Sequence, residues 1–580
     1  MIYEATGSPA KTGGKSTWNL QNLRELIDKT CLVNADRVAY MVKDKKGGDY
    51  RDIKYSEFQK DVEAVGTALL ASGIKERKIA IMGENCYEWL VVYIAAINSG
   101  NIAVPLDREL SSAEVQLIMN TAECDIAFYT DTSSPKFEDL DLKHRIVMSL
   151  YGSHNLPCPT VKTWSEFKKD GMELLESGNT DFANVIIDKD ALASLIFTSG
   201  TTGNPKGVML SSFNLVSNVE MTGEVFNVHP DDRVLSLLPI HHTFESNVTL
   251  LGMLYRGGSV AFFEGLKYVN TNMKEARPTL ILGVPLIFES IYHRIWKQAK
   301  KTNKEKALKK AIKINKNLKN IGMDLSHRLF NDIYEQLGGR VRVMLCGAAA
   351  IDPNVLKGYH DIGITFIQGY GLTEASPLVT GTPVSPMVYA KPGSVGPPLP
   401  RSTIRIVDPN EEGIGEIVYK GPNVMLGYYK MPEETASTLK NGWLYTGDYG
   451  FLSDDGWLYI TGRKKNIIVT KTGKNIYPEE LEGYLNRLDY IEESMVYGYE
   501  ADDEDETLVA VQVRPDYEQL YADFGENYGE DKIKSLIEAQ IKNMNQTLPN
   551  YKWVRKIDIR GTEFVKTTTK KIKRQASMKG

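Results

Sequence analysis

The chain is poor in cysteine. Five occur in 580 residues (Cys31, Cys86, Cys124, Cys158 and Cys346), dispersed and without a C-x-x-C pair. An odd, scattered set builds neither a disulfide framework nor a four-ligand zinc site, and it suits a reducing compartment. Long apolar runs are also missing. The longest, Trp89 to Ile97, is far too short to span a bilayer. No basic start followed by an apolar core occurs over Met1 to Trp18, so no secretory signal is read there. These absences predict a soluble, cytoplasmic protein, with any contact to the inner face of a membrane being peripheral. A positive surplus is absent as well. The formal net charge is −5, whereas nucleic-acid binders concentrate positive charge, so no nucleic-acid partner is expected.

What is present is an ordinary globular composition, 42% hydrophobic and 25% charged. The length suggests about four domain-sized blocks. One stretch stands out: Thr198-Ser199-Gly200-Thr201-Thr202-Gly203-Asn204-Pro205-Lys206-Gly207-Val208. It follows an apolar run, Leu192 to Phe197, read as a buried strand, and precedes Ser211 and Ser212, read as a helix cap. The stretch itself therefore reads as a strand-to-helix loop. Glycines let backbone N–H groups turn toward an anion, hydroxyls add donors, and Lys206 adds charge. That composition is a phosphate cradle. It is not the usual P-loop, which needs Gly-Lys-Ser/Thr, whereas Pro205 precedes Lys206 and Gly207 follows it. A plain surface turn would not need three glycines, four hydroxyls and a lysine in eleven residues.

This string resembles the Ser/Thr-Gly-Thr-Thr-Gly-x-Pro-Lys-Gly signature of the adenylate-forming (AMP-binding) superfamily, which includes acyl-CoA synthetases, carrier-loading adenylation domains and luciferases. Further elements resemble the family in its own order. Pro239-Ile240-His241-His242 matches a Pro-x-x-His element, which places His242 where the acyl carboxylate meets ATP. Val284 to Tyr292 resembles an element of bacterial long-chain fatty acyl-CoA synthetases, and the basic stretch Lys297 to Lys319 behind it is an insertion typical of that branch. That stretch has a partial apolar stripe, Leu308, Ile312, Leu318 and Ile321, and reads as a helix covering one side of a domain. A basic amphipathic helix lying on anionic lipid is the other reading.

Cys346-Gly347-Ala348-Ala349 stands where the family shows Ser-Gly-Gly-Ala against the adenine, with Cys for Ser and Ala348 for the second Gly. Gln368-Gly369-Tyr370-Gly371-Leu372-Thr373-Glu374 matches without departure. Tyr370 offers a ring for a purine, and Glu374 a hard oxygen for Mg²⁺. Gly415 to Tyr428 matches an architectural element, and Tyr445-Thr446-Gly447-Asp448 supplies a carboxylate suited to a ribose. Gly462-Arg463-Lys464-Lys465-Asn466 resembles the hinge motif. There the family implies that Arg463 touches ribose and phosphate and that Lys465 is the pivot. Gly473 corresponds to the glycine near the pantetheine arm. Lys566 to Arg574 resembles the C-terminal motif, and Ile572 and Arg574 set the register that makes Lys571 the catalytic lysine.

The alternation of helices and short strands over Thr17 to Thr130 predicts a parallel α/β sheet, whereas Thr130 to Asp190 is weakly patterned and reads as a connecting segment. With the resemblance, the predicted fold class is α/β: a large N-terminal domain of two doubly wound α/β subdomains plus a small β-barrel, and a small mobile α+β C-terminal cap. The boundaries are residues 1–462 (α/β to about 392, β from about 393) and 463–580, with the hinge near Lys465.

The implied reaction activates a fatty acid, of long chain by the Val284 element, with ATP and Mg²⁺ to acyl-AMP and pyrophosphate. Transfer to coenzyme A follows. Thr198, Ser199, Gly200, Thr201, Thr202, Gly203 and Lys206 would hold phosphates; Gly347, Ala348, Ala349, Gln368, Gly369, Tyr370, Gly371 and Thr373 would line the nucleotide; Thr198 and Glu374 would hold the metal. Lys571, His242 and Glu374 are the catalytic candidates. Loading of a carrier protein's phosphopantetheine is the alternative acceptor chemistry.

Overall fold

The computed structural model describes residues 2–8, 18–148, 151, 161–198, 205–319, 321, 323–384, 391–470, 474–501, 504–567 and 571–578. The chain divides into two compact units. The larger takes in Ala5–Ile404 and Tyr419–Leu444; the smaller takes in Met1–Glu4, Arg405–Val418 and Tyr445–Gly580.

Two eight-stranded sheets build the larger unit. The first runs Gly427–Tyr428, Lys206–Ser211, Leu192–Thr198, Ile102–Leu106, Lys78–Met82, Ile126–Thr130, His144–Met148 and Lys162–Thr163. Its central strands are parallel and read as continuous apolar runs because helices cover them. The helix Tyr87–Asn98 buries nearly every residue, Trp89 to Ile97 included. The long apolar run is thus a core helix.

Two expectations change here. The segment between Thr130 and Asp190 is more than a connection: it supplies strands His144–Met148 and Lys162–Thr163 and the helix Trp164–Glu176. That helix opens on a capping box, Thr163 with Glu166. It packs closely on helix Tyr55–Ala71, since a Cβ added at Gly171 would lie 1.9 Å from the Ala64 carbonyl oxygen. The glycine-rich stretch also does not run straight into a helix. Lys206–Ser211 is a strand, antiparallel to Leu192–Thr198 with Lys206 opposite Thr198, and only then does helix Ser212–Val225 begin behind the Ser211 cap. Val208 and Leu210 are fully buried beside apolar Leu192–Thr198, which favours a ladder over a loop.

The second sheet runs Leu378–Gly381, Thr365–Gly371, Val343–Cys346, Leu280–Gly283, Arg233–Ser236, Ser259–Phe262, Val38–Val42 and Arg51–Lys54. Pairing is parallel from Thr365–Gly371 through Val38–Val42, with antiparallel strands at both ends. The basic region 297–319 is two helices, Pro285–Lys301 and Glu305–Lys319. They are broken at Asn303, whose φ of 54° is left-handed and ends the first.

In the smaller unit, strands Trp443–Leu452 and Leu458–Arg463 pair antiparallel with Asp448 opposite Arg463. A three-stranded sheet, Ile491–Ala501, Glu504–Pro515 and Val554–Ile559, is covered by helices Pro478–Leu485 and Glu530–Asn545. Leu481, Val496, Val511 and Ile537 are core residues there. This is a small α+β body.

Candidate functional site

Parallel strands deliver their following loops to one edge of a sheet, where open α/β folds place ligands. In the second sheet, three of the motifs leave from that edge. Arg233–Ser236 leads to Pro239 and His242, Val343–Cys346 leads to Gly347 and Ala348, and Thr365–Gly371 carries Gln368 to Gly371 and leads to Thr373 and Glu374. The first two loops touch: a Cβ added at Gly347 would lie 2.8 Å from the Phe244 ring. Glycine at this place lets the aromatic ring behind His242 approach the backbone. Ala348 has φ of 72°, a left-handed conformation that costs a side-chain-bearing residue energy. Ala349 is exposed.

The histidine loop is positioned from a distance. Asn85 Nδ2 donates to Leu238 O at 2.6 Å and to Ser236 Oγ at 2.8 Å, and Asn85 Oδ1 accepts from Ile240 N at 3.1 Å. Ser236 Oγ in turn donates to buried Glu245, whose carboxyl burial pushes up to about 8. The His241 ring lies against His242, tilted by 39° with ring centroids 4.2 Å apart, and burial pushes His241 down to about 3, with Arg108 acting the same way. His241 therefore stays neutral and packs, while His242 is the less buried of the two.

Glu374 sits on a tight turn, Thr373–Ala375, held from below by two buried amides. Asn218 Nδ2 and Asn423 Nδ2 donate to Leu378 O at 2.8 and 2.9 Å. Gly371, just before the turn, has no room for a side chain, since a Cβ would lie 2.2 Å from Pro377 O. Gln368 is buried, donating its side-chain amide to Ser394 O at 2.6 Å, and so secures the strand that carries Tyr370. Gly369 lies inside this strand opposite Gly381.

Tyr428 joins this turn to the hairpin of Lys206. Its hydroxyl donates to Glu374 Oε1 at 2.8 Å, and its ring lies 5.2 Å below Lys206 Nζ. Burial and then the Glu374 charge push the phenol pKa well up, so Tyr428 remains a donor. Lys206 in turn faces Thr198, whose hydroxyl donates to Lys206 O at 3.4 Å. Thr198, Lys206, Tyr428 and Glu374 thus form one connected set. Ser199, Gly200, Thr201, Thr202 and Gly203, expected to hold phosphates, lie outside the described residues, as does Gly473.

A carboxylate has about four lone-pair sites, and Tyr428 takes one at Glu374. The Thr198 hydroxyl spends its proton on Lys206 O and keeps its oxygen lone pairs. These two hard oxygens suit Mg²⁺, which takes one or two protein ligands and fills the rest with phosphate and water.

The smaller unit holds the other candidates. Buried Asp448 pairs with Arg463, Oδ1 to Nε at 2.7 Å, and its backbone N–H donates to Thr446 Oγ1 at 3.1 Å. Lys571 senses the same pair. Desolvation first, and then Arg463, against the opposing charge of Asp448, lower its pKa to about 8. The side chain still exposes surface, so water screens part of these effects. Lys571 is mounted on a narrow hairpin: Thr567 N donates to Lys571 O at 2.8 Å, and Lys571 N donates to Thr567 Oγ1 at 3.1 Å. Arg574 clamps the base with a forked pair to Glu482 at 2.6 and 2.7 Å and a bond to Val496 O at 2.7 Å. Lys465, on the turn Lys464–Asn466, is exposed, and partial desolvation followed by Arg463 lowers its pKa. Its neighbour Lys464 is tied to Glu416 at 2.6 Å.

Tyr428, Asn85, Asn218 and Asn423 were not among the residues singled out from sequence. Gly427-Tyr428 read as architecture, and Asn85 lies in no motif named above. Asn218 carried no signal of its own, since helix Ser212–Val225 mixes Ser212, Asn214, Ser217, Glu220 and Thr222 among its apolar residues.

With this geometry in place, known proteins can be compared. A family model described as AMP-binding enzyme matches residues 27–429. Long-chain-fatty-acid–CoA ligase 1 of Homo sapiens is 32% identical over 488 residues, covering 77% of this chain and 68% of that protein. Fatty acyl-CoA synthetase A of Dictyostelium discoideum is 30% identical over 537 residues, covering 87% and 78%. Among solved structures, an anthranilate CoA ligase in complex with anthranoyl-AMP superposes with a TM-score of 0.75 at 19% identity, covering 96% and 98%. ATP-bound MatB from Rhodopseudomonas palustris gives 0.70 at 24% identity, covering 96% and 98%. The two superpositions establish the shared fold.

Proposed function

The chain belongs to the AMP-binding enzyme family, and on that premise we propose that it is a fatty acid–CoA ligase acting on long-chain acids. The observation that supports the reading is the connection of Lys206 through Tyr428 to Glu374, which ties the lysine of the first motif to the carboxylate of the Gln368–Glu374 motif. In the first half-reaction a carboxylate oxygen of the acid attacks the α-phosphorus of ATP. The bond to the bridging oxygen breaks, and pyrophosphate leaves with its electrons. In the second, the coenzyme A sulfur attacks the acyl carbon and AMP departs.

Both steps build negative charge at phosphate oxygens, so fixed positive charge and donors are the main catalytic device. Lys206 and the hairpin residues bind the β- and γ-phosphates. Thr198 and Glu374 would hold Mg²⁺, which when bound neutralises phosphate charge. Tyr370 stacks on the adenine beside Gly347, Ala348 and Ala349, and Asp448 accepts from the ribose hydroxyls with Arg463 beside it. His242 borders the acid's carboxylate. Lys571 neutralises charge between the carboxylate and the α-phosphate in the first step. Lys465 is the pivot that withdraws it for the second, when Gly473 admits the pantetheine arm.

The test is AMP and thioester formation with Mg-ATP, coenzyme A and straight-chain acids from acetate to oleate. A peak at long chains supports the ligase and its substrate class. A peak at short or aryl acids overturns the chain-length assignment. AMP release without coenzyme A thioester, together with acylation of a holo-carrier protein, would make the acceptor a carrier's phosphopantetheine.

A further inference from the structure

The region 297–319 carries ten lysines against one acid, Glu305, in a chain whose net charge is −5. Helix Glu305–Lys319 is fastened along one side. Buried Asn315 donates to Ser326 Oγ at 2.9 Å and to Asp361 O at 3.3 Å, and Leu308, Ile312 and Leu318 are partly covered on the same face. At 100° per residue, Lys306, Lys310 and Lys313 fall within about 40° of the pole opposite Asn315, with Lys316 beside them. All four are exposed, and none is in an ion pair among the described residues. Elsewhere in this region Lys304 pairs with Asp332, Lys309 with Glu305 one turn back on the same helix, and Lys319 with Asp324.

Charge alone would fit any polyanion. The second feature decides between them. Ile314 is 40% exposed on the flank of the lysine row, and Ile321 and Met323, just past the helix, are 71% and 49% exposed. Exposed aliphatic groups beside unpaired lysines gain nothing from a phosphodiester backbone. They do gain from entering the headgroup boundary of a bilayer while the ammonium groups stay at the phosphates. We propose that the outer face of helix Glu305–Lys319, with Ile314, Ile321 and Met323, docks on an anionic lipid bilayer.

The experiment is sedimentation of the full chain with phosphatidylserine-containing vesicles and with pure phosphatidylcholine vesicles, at low and high salt. Binding should favour the anionic vesicles and weaken as salt shortens the screening length. The variant Lys306→Gln/Lys310→Gln/Lys313→Gln/Lys316→Gln should lose at least about tenfold in vesicle partitioning. Ile314→Ser/Ile321→Ser should lose severalfold and leave a residue of binding that is more salt-sensitive. Equal binding to the two vesicle types, or wild-type binding by the lysine variant, overturns the proposal. Displacement from vesicles by short duplex DNA, with no effect of the isoleucine changes, overturns it in favour of a nucleic-acid face.

Thioester formation from detergent-dispersed acid should be unchanged in both variants, which also shows them folded. Vesicle binding and ligation are read separately, so a chain that binds vesicles but ligates no acid would leave this proposal standing and remove the ligase reading.

Discussion

Two lysines of this chain are held in opposite ways. Lys206 belongs to a sheet: its strand is paired on both sides, with Leu192–Thr198 and with Gly427–Tyr428, and its ammonium rests over the Tyr428 ring. Lys571 belongs to a narrow two-strand hairpin, whose base is held by Lys573 N on Val565 O, by the Lys566–Glu493 pair and by Arg574 on Glu482. A ladder of backbone bonds holds a group in one place. A short hairpin tied only at its base lets a group be presented and withdrawn as a unit. The first arrangement suits phosphates that stay bound through a step. The second suits a charge needed in one half-reaction and obstructive in the next.

The strongest way to break this comparison is Lys571→Ala. Adenylate formation should fall about 10²–10³-fold, the scale of removing a group that acts on transition-state charge. Conversion of supplied acyl-AMP and coenzyme A to thioester should be spared. Measured by pyrophosphate release and by thioester yield, equal loss of both would mean that Lys571 serves the whole fold and not one step.

Arg574→Lys comes next. It keeps the charge but not the two nitrogens of the guanidinium, of which Nη2 reaches both oxygens of Glu482, a carboxyl that burial pushes up to about 7, while Nη1 holds Val496 O. Adenylate formation should drop about tenfold with the second step again spared. An unchanged first step would show that the hairpin holds Lys571 without its clamp.

The pH profile sharpens the same point. Lys571 is charged below its lowered pKa of about 8 and neutral above it. The first half-reaction should therefore decline as pH rises through about 8, while Lys571→Arg, which stays protonated, should flatten that limb. A decline of the same shape in the arginine variant would assign it to another group. On the ladder side the effects should be smaller. Tyr428→Phe removes one hydrogen bond to Glu374 and should cost roughly 1.5–3 kcal/mol, about tenfold to a hundredfold, in the adenylate step at limiting metal. Saturating Mg²⁺ should recover part of it. No metal dependence would mean that Tyr428 only packs.

What the sequence disclosed, and what it hid, follows the same division. The C-terminal motif reads as a solvated basic tail by composition, and its register rested on Ile572 and Arg574. The structure gives Arg574 a reason, since it reaches Glu482 and Val496. Helix Pro478–Leu485 carries its own local signal, Pro478 at its start and Glu479 and Glu480 in its first turn. Helix Trp164–Glu176 was hidden by the proline-broken stretch before it, although Thr163 and Glu166 were a readable cap. The hairpin of Lys206 was missed because six residues of strand look like loop when glycines precede them. The supporting amides were illegible for a different reason. Asn218 meets Leu378 at a sequence separation of 160, and Asn85 meets Leu238 at 153. No local pattern announces an asparagine whose partners are assembled only by the folded sheet.

Ala348 offers the smallest and most specific test. The residue stands where the superfamily has glycine, and it keeps a glycine's conformation, φ of 72°. An L-residue there bears a strain of about 1–2 kcal/mol. Glycine would relieve it but would also gain freedom in the unfolded chain, returning about 0.5–1 kcal/mol of the benefit. Ala348→Gly should therefore raise unfolding stability by about 0.5–1 kcal/mol, read from the denaturant midpoint at unchanged slope. Because the strand ahead of Ala348 is laddered on both sides, by Leu280–Gly283 and Thr365–Gly371, the substitution should leave the ratio of the two half-reactions unaltered. A fall in stability would mean that the Ala348 methyl packs well enough to outweigh its strain. A changed ratio would mean that the rigid side of the molecule also distinguishes one step from the other, and the contrast between the two lysines would lose its basis.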